Sequence, residues 1–328
     1  MKQKEPFSLE KALWKLICFS LALILSGMLV TTAGFQFLLN QIQCSPSLSL
    51  PVSSMEDFLN PGDVNFQQLS ADLTKKDSKV INILLIGQDR REEETTARAD
   101  SIILCSFRKD DGTLTMTSFL RDLYLPIPGH GSDRINSAYA YGGAKLLKNT
   151  ITENFDISVD GTIEVDFSRF ASVIDVLGGV TIQLRQDEAD YINQETGSSL
   201  TEGTQALTGQ QALVYSRIRS LDADGDFSRT DRQRKVMRSV VDSYRNAGIP
   251  ALMKLLKEIL PMLSTDMTES RLLMLALEVF PMLSDLELSS QSLPAPGSCW
   301  DETIRGMAVL VADMDTLKSQ LQKTAGSQ

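Results

Sequence analysis

The chain has 328 residues, 42% of them hydrophobic and 23% charged, with a formal net charge of −10. This composition is typical of a globular protein, and the negative charge argues against nucleic acid as the main partner. The single histidine, His130, excludes a histidine-cluster metal site, and the four cysteines form no CxxC pair. The sequence leaves undecided whether Cys44 and Cys299 form a disulfide.

An uncharged apolar segment lies near the N-terminus. Residues 16–39 carry no charged side chain and are long enough to cross the roughly 30 Å hydrocarbon layer as a helix. Lysines in residues 1–15 precede it, so the positive-inside rule predicts a cytoplasmic tail and an extracytoplasmic remainder. A cleaved signal peptide is the alternative, although its apolar region usually has about 7–15 residues. We therefore predict a single-pass membrane anchor, followed by an extracytoplasmic stalk at 40–78.

From residue 79 onward, strand-like and helix-like segments are interleaved. The run 80–87 is almost continuously apolar, as expected for a strand buried on both faces. The other predicted strands are 101–107, 113–119, 159–166, 180–184 and 307–312, and the predicted helices are 143–154, 167–177, 250–263, 268–282 and 313–323.

An Asp-Gly pair at 111–112 predicts a hairpin between the second and third strands, so the central sheet should be mixed. The pattern predicts a single layered α/β/α domain with a mixed central sheet, spanning 79–312, with its motif core at 79–245. A C-terminal helix and tail should follow at 313–328.

Two carboxylates flank the first predicted loop. Asp89 follows the first strand and Asp100 precedes the second. Ligands of open α/β sheets bind at loops of this kind. Two such carboxylates can share Mg²⁺ or Mn²⁺, with water and phosphate oxygens completing the coordination. The alternative is two solvated loop acids, with Asp100 paired to Arg98.

The next loop is also rich in charged residues. Arg121 and Asp122 follow a predicted strand directly, and Arg134 precedes a helix. Each of these is a weak signal alone, and His130 is best interpreted as an ordinary loop residue. The chain contains no GxxxxGK[ST], HExxH or GxSxG motif, so nucleotide-triphosphate, zinc-peptidase and α/β-hydrolase chemistry lack their usual sequence support.

Arginine is concentrated in residues 213–241. If 213–219 is extended, Arg217 and Arg219 share one face of a strand. Two interpretations remain open: structural salt bridges to nearby aspartates, or binding of an anion. Planar guanidinium groups presented by two elements suit phosphate or pyrophosphate.

The second half of this segment has a helical pattern. Ser228 suits the N-cap position, and Asp231 would complete a capping box. The apolar stripe of the helix continues toward its N-terminus as Arg229, Arg232 and Gln233. Because a buried unpaired charge is costly, inward-facing arginines require an anion, which a helix N-terminus also favours.

Several spaced motifs over roughly residues 78–245 resemble the LytR–CpsA–Psr family. They are ILLIGQDRREEETTARADSIIL, SFLRDLYLPIP, DRINSAYAYGG, GTIEVDFSRFASVIDVLGGV and ALTGQQALVYSRIR…GDFSRTDRQRKV. The acidic stretch EEE at 92–94 departs from the family pattern.

This resemblance implies an extracytoplasmic, Mg²⁺-dependent phosphotransferase of Gram-positive-type cell walls. Such enzymes move a glycosyl phosphate, as part of a teichoic acid, capsule or similar polymer, from a polyprenyl-pyrophosphate carrier to a peptidoglycan hydroxyl. The alternatives are a non-catalytic, polyprenyl-phosphate-binding regulator of the cell envelope and a hydrolase of the same lipid-linked donor.

The resemblance also implies roles for individual residues, with Asp89 and Asp100 as metal ligands. The pyrophosphate-binding residues would be Arg98, Arg121, Arg134, Arg217, Arg219, Arg229, Arg232 and Gln233. The catalytic residues would be Arg121, Asp122 and Asp226, with Asp226 favoured over Asp122 as the group that deprotonates the hydroxyl.

A polyprenyl tail also needs an apolar tunnel. The candidate lining residues are Ile102, Leu104, Val165, Phe167, Phe170, Val173 and Ile174. Ordinary core packing is the alternative for each of them.

Overall fold

A computed structural model describes residues 43–44, 79–89, 98–247, 255, 258–268, 271–272, 275 and 279–326. The predicted tail at 1–15, anchor at 16–39 and nearly all of the stalk lie outside these residues. So do about half of the residues of the predicted helices 250–263 and 268–282. No helix within the described ranges combines the length and apolar character that a membrane crossing needs.

The described residues form thirteen β-strands and six α-helices. The strands are β1 (Gln43–Cys44), β2 (Val80–Asp89), β3 (Arg98–Arg108), β4 (Thr113–Phe119), β5 (Tyr124–Ile127), β6 (Gly131–Arg134), β7 (Gly161–Asp166), β8 (Val180–Leu184), β9 (Gly203–Leu207), β10 (Ser264–Thr265), β11 (Glu287–Leu293), β12 (Cys299–Ile304) and β13 (Met307–Ala312). The helices are α1 (Ile135–Phe155), α2 (Phe167–Val176), α3 (Gln186–Thr196), α4 (Gly209–Arg217), α5 (Asp226–Tyr244) and α6 (Met314–Ala325).

Seven strands form the central sheet, in the order β1-β10-β7-β2-β3-β4-β11. Strands β2, β3 and β4 pair antiparallel, whereas β2 with β7 and β4 with β11 pair parallel. The predicted mixed central sheet is therefore confirmed. Three two-stranded antiparallel sheets, the hairpins β5–β6 and β12–β13 and the pair β8–β9 on either side of α3, complete the strands in the described part of the chain.

Helices cover both faces of the sheet. Because side chains alternate along a strand, Leu84 of β2 faces one side, where it shares a core with Leu147 of α1 and Leu321 of α6. Ile81 faces the other side, in a smaller cluster that includes Val241 of α5. The α1 side is the larger core, and we refer to it as the main core.

A second core lies beside the sheet and joins β8, β9 and helices α2–α5. It is built around buried residues that include Ile174, Ile192 and Tyr215. Helix α4 belongs to this core because Ala212 and Tyr215, three residues apart, fall on one helix face and are fully buried.

Two sequence predictions about the arginine-rich segment are wrong. Residues 213–217 belong to helix α4 rather than to an extended strand, because Thr208 caps the helix and forms a capping box with Gln211. Helix α5 begins at Asp226 after Gly225, without a side-chain cap, so Ser228 is not the N-cap. Ser228 instead donates a hydrogen bond to Asp224.

The first long helix is longer than predicted. It starts at Ile135 rather than near 143, and it is interrupted where Gly142 (φ −151°) and Gly143 (φ 63°) leave helical geometry. Gly143 has a positive φ, which glycine adopts at little cost. Helix α3 and strand β9 were not predicted, and Cys299 carries a free thiol.

Substitution Gly209→Ala should destabilise the fold by about 1–3 kcal/mol, as expected for overpacking. A Cβ at this position would lie 1.9 Å from the Ala171 carbonyl oxygen, so α4 would have to move away from α2. Urea unfolding measures the effect. The exposed neighbour Gln210 provides the matched control, and equal stability of Gly209→Ala and Gln210→Ala would contradict this packing argument.

Candidate active site

A β-bulge sets the position of Asp100. Gly87 pairs with Ser101 and Gln88 pairs with Ala99, so Asp100 is the extra residue of β3 and has no partner on β2. A bulge re-aims a side chain and bends its strand. The two strands approach closely here, since a Cβ on Gly87 would lie 2.9 Å from the Ser101 Cβ.

Arg121 is the centre of the site. Its Nη1 donates to Asp100 Oδ1 at 2.7 Å, and its Nε lies 3.5 Å from both Asp122 Oδ2 and Asp226 Oδ2. Burial opposes the charge of Arg121, but the bond to Asp100 and the nearby carboxylates raise its pKa above the usual value. Arg121 therefore joins the bulge of β3, the loop after β4 and the start of α5.

The backbone fixes this loop. The Leu120 N–H donates to Leu293 O at 3.0 Å, and the Asn136 N–H at the start of α1 donates to Arg121 O at 3.2 Å. Arg134, at the end of β6, donates to Asp122 Oδ1 at 3.3 Å. The loop is thus held between β11 and α1, with Asp122 directed toward Arg134.

Asp226 forms ion pairs with two further arginines. Arg219 donates to it from Nε at 2.9 Å and also from Nη2. Arg229 Nη2 lies 3.5 Å from Asp226 Oδ2, and the Arg229 side chain is only 5% exposed. Burial lowers the pKa of Arg229 to about 10, although the Asp226 carboxylate acts in the opposite direction.

We refer to the connected side chains as the arginine–aspartate cluster. Its members are Arg121, Arg134, Arg219, Arg229, Asp100, Asp122 and Asp226. The cluster has one more guanidinium than carboxylate. The Nε atoms of Arg121, Arg134 and Arg229 are buried without a hydrogen-bond partner in the structure. Buried donors are normally satisfied, so these free donors mark a place for an anionic ligand.

The donor set also suits a hard cation. Asp100 supplies carboxylate oxygens near the N-terminal end of the central strand β3, and the backbone of Asp89, at the C-terminal end of β2, pairs with Arg98. The described residues contain no group of three or more histidine, cysteine, aspartate or glutamate side chains arranged to hold a metal. Mg²⁺ often takes only one or two carboxylates together with substrate phosphate and water, so the residues fit that ion.

Two predicted arginines lie apart from the cluster in the described contacts. Arg217 is exposed, and its guanidinium stacks over the Phe167 ring at 4.8 Å. Arg98 is exposed at the start of β3 and interacts electrostatically with Tyr141. Their proposed contact with pyrophosphate remains a prediction.

The structure places Arg232 in a different environment from the predicted one. It is 2% exposed and donates from Nε to Glu188 Oε1 at 2.8 Å, from Nη1 to Ile218 O at 3.3 Å and from Nη2 to Asp222. The bond from Arg232 lowers the pKa of Asp222. Arg232 thus forms a structural salt network, which had been the alternative interpretation of these arginines.

This buried network positions the site indirectly. Glu188 belongs to α3, Asp222 belongs to the loop before α5, and Arg185 Nη1 reaches Asp222 Oδ1 at 3.0 Å. The network therefore fixes the loop that carries Arg219. Glu188 was not identified from the sequence, and its early position in an amphipathic helix gave no signal of a partner 44 residues away.

Gln233 also has a positioning contact. Its Oε1 accepts a hydrogen bond from Ser101 Oγ at 2.9 Å, which ties α5 to β3 beside the bulge at Asp100. Ser101 was not identified from the sequence either. Ser101 lies six residues before Phe107 on β3, so strand alternation places it on the sheet face that α5 covers.

The residues proposed for an apolar tunnel do not share one environment. Ile102 and Leu104 belong to the main core, whereas Phe170 and Ile174 pack in the second core. The set divides because β3 and α2 contribute to different layers. A single tunnel lined by all seven residues remains a prediction.

Comparisons with known proteins identify the same family as the sequence motifs. The family model described as the LytR_cpsA_psr family matches residues 54–326. A Bacillus subtilis (strain 168) protein named polyisoprenyl-teichoic acid–peptidoglycan teichoic acid transferase TagT is 35% identical over 230 residues, which are 68% of this chain and 69% of that protein. A Staphylococcus aureus (strain Mu50) protein named regulatory protein MsrR is 38% identical over 180 residues, 54% of this chain and 53% of that protein.

Solved structures of TagT have a similar fold. TagT bound to LIIa-WTA superposes with a TM-score of 0.62 at 29% identity, covering 76% of this chain and 91% of TagT. TagT with bound octaprenyl pyrophosphate lipid gives a TM-score of 0.59 at 27% identity, with the same coverage.

Substitution Arg229→Met should weaken binding of inorganic pyrophosphate at least tenfold without lowering stability. The Arg229 side chain is buried, and its Nε has no hydrogen-bond partner. The desolvation cost of its charge is therefore only partly offset by its present contacts. Isothermal titration calorimetry and urea unfolding measure the two effects. The control is Arg238→Met, an exposed arginine on the same helix. Unchanged pyrophosphate affinity together with a loss of stability would indicate a structural role for Arg229 instead.

Substitution Arg232→Met should destabilise the protein by about 3–5 kcal/mol, because it leaves the 4% exposed Glu188 carboxylate without its partner. The double variant Arg232→Met/Glu188→Leu should recover much of the loss. Urea unfolding of both variants provides the measurement. Additive destabilisation by the two substitutions would show that the pair does not act as a unit.

Proposed function

Because the chain belongs to the LytR–CpsA–Psr family, we propose that it is an extracytoplasmic phosphotransferase that attaches a glycopolymer to the cell wall. The donor is a polyprenyl-pyrophosphate-linked glycan, and the acceptor is a hydroxyl of peptidoglycan. One observation carries the proposal: four arginines from separate elements meet around three aspartates, with three guanidinium Nε donors left free.

The cluster suits phosphoryl transfer. This chemistry depends on positioning and on neutralising charge at the phosphate oxygens more than on covalent catalysis. The guanidinium groups of Arg219 and Arg229 would hold the diphosphate, and Arg121 would donate to oxygens of the phosphoryl group that is transferred. The acceptor oxygen forms a bond to that phosphorus, the bridging P–O bond breaks, and polyprenyl phosphate leaves.

A carboxylate of the cluster would take the proton of the acceptor hydroxyl. Asp226 has three guanidinium neighbours, Arg121, Arg219 and Arg229, which suits it to orient arginines. Asp122 contacts only Arg121 and Arg134 among the cluster's arginines. We therefore favour Asp122 as the proton acceptor, in place of the Asp226 assignment made from the sequence.

Mg²⁺, or Mn²⁺ in its place, fits carboxylate oxygens at the adjoining ends of β2 and β3. Asp100 and Asp89 would hold the ion. When bound, it would neutralise charge on the diphosphate oxygens. Asp100 also accepts a hydrogen bond from Arg121 Nη1, so this carboxylate would lie between the central arginine and the ion.

Residues 16–39 would anchor the enzyme in the cell membrane as a single helix with a cytoplasmic N-terminus. This placement suits the reaction, because a polyprenyl-linked donor and peptidoglycan meet at the outer face of the membrane. The arginine–aspartate cluster begins at Asp100, 61 residues after the end of the apolar segment at residue 39.

A second candidate is a regulator that binds the lipid without turning it over, which the name of the relative MsrR favours. Retention of the cluster carboxylates distinguishes the candidates. A protein that only binds polyprenyl phosphates could lose the Asp100 and Asp122 carboxylates and keep its ligand, whereas the transferase needs them for catalysis or for binding the metal.

The full chain in detergent, supplied with Mg²⁺, a polyprenyl-pyrophosphate glycan and peptidoglycan strands, should form glycan linked to peptidoglycan by a phosphodiester. Mass spectrometry of digested strands detects the product. Asp122→Asn should lower kcat at least a hundredfold with little change in donor affinity. Asp231→Asn, on the exposed side of α5, is the control.

The other outcomes separate the alternatives. Free sugar phosphate without linked product would indicate a hydrolase. Unchanged donor that stays bound to the protein would indicate the regulator. Omission of Mg²⁺ and addition of a chelator should abolish product formation, and full activity under that condition would contradict the role assigned to Asp89 and Asp100.

A further inference from the structure

The β12–β13 hairpin is joined to the site through its backbone. The Leu310 N–H of β13 donates to Asp122 O at 2.8 Å, and Leu123 forms a parallel bridge with Leu310. Strand β12 lies on the outer side of β13, with Trp300 paired to Val311. The hairpin therefore extends outward from the residue that we assign as the proton acceptor.

Trp300 is the most exposed large hydrophobic side chain in the described part of the chain, at 54%. Tyr141 is the other, at 50%, but its ring stacks on His130 and its hydroxyl donates to Asp133. The structure gives the Trp300 ring no aromatic or cation–π partner among the described residues. An exposed, unpartnered tryptophan beside a reaction centre is typical of a binding surface.

The charge of β12 restricts what can bind there. Glu302 is exposed and shares the strand face of Trp300, whereas Asp301 is exposed on the opposite face. Strand β12 contains no lysine or arginine, and Arg305 lies in the turn that follows it. The Glu302 carboxylate beside the indole ring disfavours a phosphate-rich polymer and can pair with an ammonium group. The donor glycan is linked through phosphate, whereas peptidoglycan is a pyranose chain without phosphate, and its peptide stems carry amines as well as carboxylates.

The positions of the cluster side chains also favour the acceptor, rather than the donor, as the ligand of this hairpin. Arg219 and Arg229 hold Asp226 on the α5 side, where the donor diphosphate would lie. Asp122 is held by Arg134 and by the backbone of β13. The β12–β13 hairpin is bonded to the Asp122 backbone and carries an exposed aromatic ring, so we take it as the surface that the acceptor contacts.

We propose that the β12–β13 hairpin docks the acceptor, a pyranose chain bearing ammonium groups, with the Trp300 ring packed against a sugar ring. The inference rests on the proposed transferase function, because it identifies where the acceptor of that reaction binds. The apolar C–H face of a pyranose matches the indole face, and Glu302, on the same strand face, supplies a carboxylate for an amine of the stem peptide.

Fluorescence tests the docking without requiring catalysis. The chain has two tryptophans, so Trp14→Phe leaves Trp300 as the only one. Titration of this full-length variant in detergent with soluble, uncrosslinked peptidoglycan strands should change the emission in a saturable manner. A phosphate-rich teichoic acid polymer at the same concentration should give no saturable change. No response to peptidoglycan strands, or an equal response to both polymers, would overturn the proposal.

Kinetics of the transfer reaction provide the second test. Trp300→Ala should raise KM for peptidoglycan about tenfold, with kcat and the KM for the lipid donor within twofold of the wild type. Trp300→Phe should restore most of the affinity, and Thr303→Ala, exposed on the same strand, should behave as the wild type. An unchanged acceptor KM, or a rise in the donor KM instead, would overturn the proposal.

The two tests separate the failure of this inference from the failure of the proposed function. If the wild type transfers no glycan while Trp300 emission still responds saturably to peptidoglycan strands alone, the docking surface stands and the transferase assignment fails. If transfer is normal and insensitive to Trp300→Ala, the transferase assignment stands and the docking surface fails.

Discussion

The fold places four guanidinium groups within reach of one another, and this crowding of like charge is the constraint that the rest of the site satisfies. Arg121 and Arg219 both act to lower the pKa of Arg229. The three aspartates counter the repulsion, since each lies between arginines or beside the central one. The protein thus keeps four guanidinium groups together, with one positive charge in excess, without leaving bare charges in its interior. A diphosphate that enters can take over contacts which the carboxylates make in its absence.

Several features outside the cluster serve to keep it assembled. The bulge at Asp100 directs one carboxylate toward Arg121, and the bond between Ser101 and Gln233 holds α5 against the same strand. The buried network around Arg232 fixes the loop that carries Arg219. Burying an ion pair contributes little stability by itself, but a misplaced loop would separate Arg219 from Asp226. The network is therefore best understood as a device for positioning, at a distance from the reacting atoms.

Much of the fold was predictable because its signals are local. The apolar run of β2 and the Asp-Gly turn before β4 were sufficient to predict a mixed sheet. The error at 213–219 was avoidable, since Thr208 and Gln211 have the spacing of a capping box and predict a helix. The role of Arg232 was not predictable from local pattern, because its partner Glu188 lies 44 residues earlier. Ser101 and Gln233 are 132 residues apart, so the sequence alone did not indicate that they would be in contact.

The arrangement also imposes a direction on the proposed reaction. In-line displacement at phosphorus places the incoming oxygen and the departing group on opposite sides of the transferred phosphoryl group. Arg219 and Arg229 lie with Asp226 on α5 and on the loop before it, so that side suits the phosphate that leaves with the lipid. Asp122 is the cluster carboxylate whose backbone is bonded to the β12–β13 hairpin, and Arg134 holds its side chain from β6. Because Arg121 contacts both Asp122 and Asp226, it lies where the two sides meet. Arg121 can thus neutralise the phosphoryl oxygens while the bond to the acceptor forms on one side of the phosphorus and the bond to the leaving group breaks on the other. This role accounts for its position at the centre of the cluster rather than at its edge.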